Sequence, residues 1–151
     1  MAERVEHLPL PIAERRELPE KEIRRLLDEQ IDLLAHNVQQ LLQGDGINSH
    51  LKIGRFWKMH GPGVVNVLLR RARTKLLQPK TWTLSPLGVI AIFFNYNPHD
   101  LGEITVFIFN KDIQPHTISI IKEELLEFAQ AVPVPVTKGA RITYDDEEFP
   151  I

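Results

Sequence analysis

Gly88-Val89-Ile90-Ala91-Ile92-Phe93-Phe94-Asn95-Tyr96 and Ile104-Thr105-Val106-Phe107-Ile108-Phe109-Asn110 set the fold class of this 151-residue chain. Both stretches are rich in β-branched and aromatic side chains, which suit a pleated, half-buried surface. Between them runs Asn97-Pro98-His99-Asp100-Leu101-Gly102. That is turn chemistry, because Asx side chains bond nearby backbone while Pro and Gly interrupt regular structure. The pair is expected to form an antiparallel hairpin, with strands at about 88–96 and 104–110. Neither strand alternates apolar with polar. Both faces therefore want burial, under helix on one side and under a further helix or a partner subunit on the other.

Helical periodicity lies on both sides of the hairpin. Downstream, Ile118, Ile121, Leu125, Phe128 and Val132 recur at steps of 3, 4, 3 and 4, with Pro115 ahead of them, which predicts a helix over about 115–131. Upstream, Val65, Leu68, Leu69, Ala72 and Leu76 share one face of a helix expected at about 63–77. The longest pattern comes first in the chain. Ile23, Leu27, Ile31, Leu34, Val38 and Leu41 are spaced by 4, 4, 3, 4 and 3, predicting a helix over about 20–43. Pro19, Glu20 and Glu22 suit its positive start, and Gly44 and Gly46 suit its end. Residues 51–58, 81–84 and 141–144 read as shorter, weaker strands.

Helices and strands interleaved without a regular strand–helix–strand repeat predict an α+β fold in two layers. The expected sheet is mostly antiparallel, centred on the hairpin, and packed by the helices at about 20–43, 63–77 and 115–131. Leu8-Pro9-Leu10-Pro11 favours an extended path, so residues 1–18 are expected to be a Pro-containing arm. Residues 19–144 then form a single domain, and 145–151, Asp-Asp-Glu-Glu-Phe-Pro-Ile, an acidic C-terminal tail.

Charge along the chain is the one pointer to a partner. Residues 46–99 carry Lys52, Arg55, Lys58, Arg70, Arg71, Arg73, Lys75 and Lys80, and no Asp or Glu at all. Residues 1–45 hold six basic against ten acidic side chains, and residues 100–151 hold four against ten. A net charge of only −2 thus hides a cationic middle between two anionic ends. Such a field attracts anions or acidic surfaces.

Several chemistries lack the residues they need. With no cysteine there is no disulfide, thiolate metal site or cysteine nucleophile. No phosphate-cradling G-x-x-x-x-G-K-[ST] and no G-x-G-x-x-G occurs, although Gly61-Pro62-Gly63 before a helix start has the outline of a generic anion site. No H-x-x-x-H, H-E-x-x-H, D-x-D or G-x-S-x-G is found either. His99, Asp100 and Glu103 share one loop, and they would be catalytic only if a cleft gathered them with another polar group. No apolar run approaches the roughly 20 residues that span a bilayer. No catalytic residue, cofactor or metal is expected, and the location expected is the cytoplasm.

The chain is therefore expected to work by binding, as an adaptor, assembly factor or subunit of a larger complex that also self-associates. The residues expected to meet an acidic partner are Arg55, Lys58, Arg70, Arg71, Arg73 and Lys75. The acidic tail is a candidate ligand for that same surface on a neighbouring copy. The alternative partner is nucleic acid. Arg55-Phe56-Trp57-Lys58 interleaves cations with two rings, so Phe56 and Trp57 would stack on bases while the cations follow phosphates.

Overall fold

A computed structural model describes residues 4–44, 50–56, 89–95, 99–108 and 114–144. Their elements run in the order β1 (Arg4–Leu8), α1 (Glu20–Gly44), β2 (His50–Phe56), β3 (Val89–Asn95), β4 (Ile104–Ile108), α2 (Pro115–Ala131) and β5 (Ala140–Tyr144). The strands make one sheet in the order β1-β5-β4-β3-β2. The α+β class and the packing of helices on a sheet are as expected. The hairpin strands β3 and β4 pair antiparallel, with Ile92 opposite Val106.

The sheet itself is mixed rather than mostly antiparallel. β1–β5 and β3–β4 are antiparallel, but β2–β3 and β4–β5 are parallel. The parallel β4–β5 pair follows from the connection between them. Residues 109–139 contain α2, and a helical crossover returns the chain in the same direction, whereas a tight turn would reverse it. A second correction concerns the N-terminus. Residues 4–8 do not stand apart as an arm but form edge strand β1, with Arg4 opposite Tyr144 and Leu8 opposite Ala140. The irregular stretch after it is packed too. Leu10 is buried, and the Arg16 N–H donates to the Pro133 carbonyl at 2.9 Å.

Three rows of residues cross the sheet on the face that α1 and α2 cover. They are Leu51–Ile90–Ile108–Tyr144–Arg4, Ile53–Ile92–Val106–Ile142–Glu6 and Arg55–Phe94–Ile104–Ala140–Leu8. From the helices, Ile23, Leu27, Ile31, Leu34, Val38, Leu42, Ile121, Leu125, Phe128 and Ala129 join the same core. Each fully buried side chain of this size contributes about 1.5–3 kcal/mol of burial free energy. Phe94 meets Phe128 at 5.3 Å between ring centroids, so strand and helix interlock through aromatic packing.

Two glycines join these elements. Gly102 and Gly139 both have positive φ (62° and 68°), and they bring segments 99–104 and 135–139 together. There Leu101 N–H donates to Pro135, Lys138 N–H to Gly102 and Ile104 N–H to Gly139, at 2.9–3.0 Å. The helix expected at 63–77, the strand at 81–84 and the acidic tail lie outside the described residues.

Candidate partner-binding surface

The cationic stretch enters the described fold through β2. Arg55 sits near the end of that strand on the helix-covered side, and its guanidinium reaches the first half of α1. Nη1 donates to Asp28 Oδ1 at 3.1 Å, and Nη2 donates to Asp32 Oδ1. Asp28 and Asp32 are one helical turn apart, so both carboxylates line one stripe and the planar fork spans them. Burial pushes the guanidinium pKa down, but Asp32 and Asp28 outweigh it and the net shift is upward. Arg55 therefore stays charged, and it is matched by carboxylates from its own chain. Of the other expected contacts, Phe56 closes β2 opposite Asn95 in the backbone register. Trp57, Lys58, Arg70, Arg71, Arg73 and Lys75 lie outside the described residues.

At the opposite edge of the sheet, the charged ends of the rows behave alike. Glu6 accepts from Lys122 Nζ of α2 at one oxygen and from Tyr144 OH, 2.9 Å away, at the other. Arg4 lies over the Tyr144 ring at 4.1 Å. The Lys122 hydrogen bond is the largest influence on Glu6 and holds its carboxyl below the usual value, against some burial cost. Tyr144 is pushed up to about 12, first by burial and then by its bond to the Glu6 anion. Among the described residues each edge of the sheet is thus closed by a charge turned toward the helix layer, Arg55 to α1 and Glu6 to α2. Inward charge of this kind guards an edge strand against indiscriminate pairing. Sequence reasoning missed the Glu6 cluster, because Lys122 and Tyr144 lie 116 and 138 positions away and meet it only through the fold.

The polar loop is used structurally. Asp100 Oδ2 accepts from Thr137 Oγ1 at 3.3 Å, while Leu101 and Gly102 beside it are buried. Among the described residues no group of three His, Asp or Glu converges as metal ligands. A shallow groove of about 140 Å³ runs between α1 and α2, with Leu34 and Phe128 in its floor and Leu33, Glu124 and Glu127 on its rim. It has room for about one side chain, well under the ~300 Å³ of an ordinary small-molecule site. No helix of the described residues is long and apolar enough to cross a membrane. Comparison with protein-family models, with curated proteins and with solved structures found no match to this chain.

Proposed function

We propose that this chain is a non-enzymatic binding protein of the cytoplasm, an adaptor, assembly factor or subunit of a larger complex. It engages an acidic partner surface through the cations of residues 46–99, and it self-associates. The observation that supports this reading is the charge pattern of the chain. Residues 46–99 contain no carboxylate, so each of their eight cations meets an acid only on another segment or another molecule. Arg55 takes Asp28 and Asp32 from α1. Arg70, Arg71, Arg73 and Lys75 then carry the partner contact, together with Lys58. An interface of this kind gains on-rate and specificity from charge more than it gains raw affinity.

The test is a partner isolated on the immobilised chain and then titrated in purified form. Arg70→Glu/Arg71→Glu/Arg73→Glu should weaken its binding at least tenfold, about 1.4 kcal/mol, and added salt should weaken the wild-type complex as well. A labelled single-stranded oligonucleotide provides the other arm. Tight binding at ~50 mM salt that the same triple substitution abolishes would assign the surface to nucleic acid. Partner affinity indifferent to both salt and the arginines overturns the proposal.

A further inference from the structure

Among the described residues β1 ends the sheet, with β5 on one side and no strand on the other. Half of its backbone donors and acceptors therefore point outward, which is a template for strand addition. Arg4, Val5 and His7 are exposed, and Val5, at 47% exposure, is one of three large exposed apolar side chains among the described residues. We infer that β1 pairs antiparallel with β1 of a second copy, Val5 against Val5, joining two five-stranded sheets into one continuous sheet.

The charges on the strand select that register. A two-fold axis perpendicular to the sheet keeps the helices of both copies on one face, and it lets only residues of equal parity stand opposite one another. Five such registers are centred on residues of β1, and those on His7 and Leu8 set Glu6 opposite the apolar Leu8 or Leu10. Centring on Arg4 sets guanidinium against guanidinium, and centring on Glu6 sets carboxylate against carboxylate. Like charges directly opposite are unfavourable. Centring on Val5 instead sets Arg4 opposite Glu6 of the second copy, twice over by symmetry, with the two Val5 side chains in contact at the axis. The same Arg4 and Glu6 that discourage other strands thus favour this one. Lys122 and Tyr144 hold Glu6 in place beforehand, so little order is lost when the edge is used.

This contact deepens the self-association in the proposed function but uses none of residues 46–99, so either can fail alone. The experiment is the solution mass of the full chain by light scattering from about 1 to 100 µM, with three variants. Wild type should reach twice 17.4 kDa. Val5→Lys should stay monomeric with an unchanged circular dichroism spectrum. The chain has no cysteine, so Val5→Cys gives a single thiol per copy. Opposed residues of an antiparallel pair stand about 4.5–5.5 Å apart at Cα, within disulfide reach, so this variant should link into a covalent dimer without reductant. Leu33→Cys, on the exposed helix face, should not link. Arg70→Glu/Arg71→Glu/Arg73→Glu should still dimerise, which separates this contact from the cationic one. A wild-type chain that stays monomeric, a dimer that survives Val5→Lys, or a Val5→Cys chain that stays unlinked overturns the pairing.

Discussion

Glu6 and Lys122 form an ion pair that ties edge strand β1 to α2, and Tyr144 completes it from β5. The carboxylate, the ammonium and the phenol come from three elements, so the cluster joins strand to strand and sheet to helix at one point. Glu6 and Lys122 are partly exposed, at 40% and 26% of their side chains, and such pairs contribute about 0.2–1 kcal/mol. The Tyr144 hydroxyl is better shielded and donates to a charged acceptor. Tyr144→Phe should therefore lower unfolding stability by about 1–2 kcal/mol, more than Lys122→Met does. In urea titrations Tyr144→Phe and Glu6→Gln should be non-additive, because they remove the same bond. Full additivity would show that the two groups do not act together.

The same cluster sets a pH range for the anchorage of β1. Glu6 titrates below its ordinary value of 4.5, so the folded chain binds that proton less tightly than the unfolded chain. Its contribution is present above that ordinary value and is lost as pH falls through the lowered one. Tyr144 titrates at about 12 against an ordinary 10, so its contribution is full below 10 and is lost as pH rises toward 12. Hydrogen exchange of the β1 amides, corrected for intrinsic rates, should show flat protection between these limits and loosening beyond each. Glu6→Gln should erase the acid limb. An acid limb that persists in that variant assigns it to other carboxylates.

Helices α1 and α2 were legible because their signal is local. Ile23, Leu27, Ile31, Leu34 and Val38 are all buried where their spacing placed them, but the stripe then moves to Leu42 and leaves Leu41 half-buried. A straight helix drifts against a strict seven-residue repeat, which accounts for the shift. β3 and β4 were legible from composition, and β3 is buried on both faces from Ile90 to Phe94. β1 was not, because Arg4 and Glu6 occupy its core-facing positions and give Arg-Val-Glu-His-Leu no apolar alternation. Its partner β5 lies more than 130 residues away. The parallel pairing of β4 with β5 had a signal that went unused, since a strand, a 17-residue helix and a strand in succession are the ingredients of a parallel crossover. Of the candidate contacts, Arg55 was legible as a cation, but its pairing with Asp28 and Asp32 required the packing of β2 on α1.

Two glycines should resist substitution for different reasons. A Cβ on Gly54 would lie 2.4 Å from Cδ1 and 2.8 Å from Cε1 of Phe93. That ring is nearly buried and packs edge-on against Phe107 at 6.2 Å, so it has little room to turn. Gly54→Ala should cost about 1–3 kcal/mol through overpacking. Gly139→Ala meets backbone instead, with Leu8 O at 2.6 Å and a φ of +68°. Left-handed strain alone costs about 1–2 kcal/mol, and the clash falls on the last residue of β1. Trimming Phe93 to Leu should recover part of the stability lost in Gly54→Ala and none of that lost in Gly139→Ala. Equal recovery in both would mean the Phe93 contact is not the cause.

Arg55 should prove a stabilising residue more than a recognition residue. Its fork bonds Asp28 and Asp32 together, and a lysine ammonium cannot match that planar geometry. Arg55→Ala should lower stability by about 1 kcal/mol, as should Asp28→Asn/Asp32→Asn. Combining all three substitutions should cost little more than either set alone, since one interaction is lost in every case. Arg55→Lys should fall between wild type and Arg55→Ala. The decisive comparison pairs the urea midpoint with partner affinity. Arg55→Ala should shift the midpoint and leave affinity within about twofold, whereas substitution of Arg70, Arg71 and Arg73 should do the reverse. An Arg55→Ala chain that unfolds like wild type yet loses its partner would mean that Asp28 and Asp32 release this guanidinium when the partner arrives.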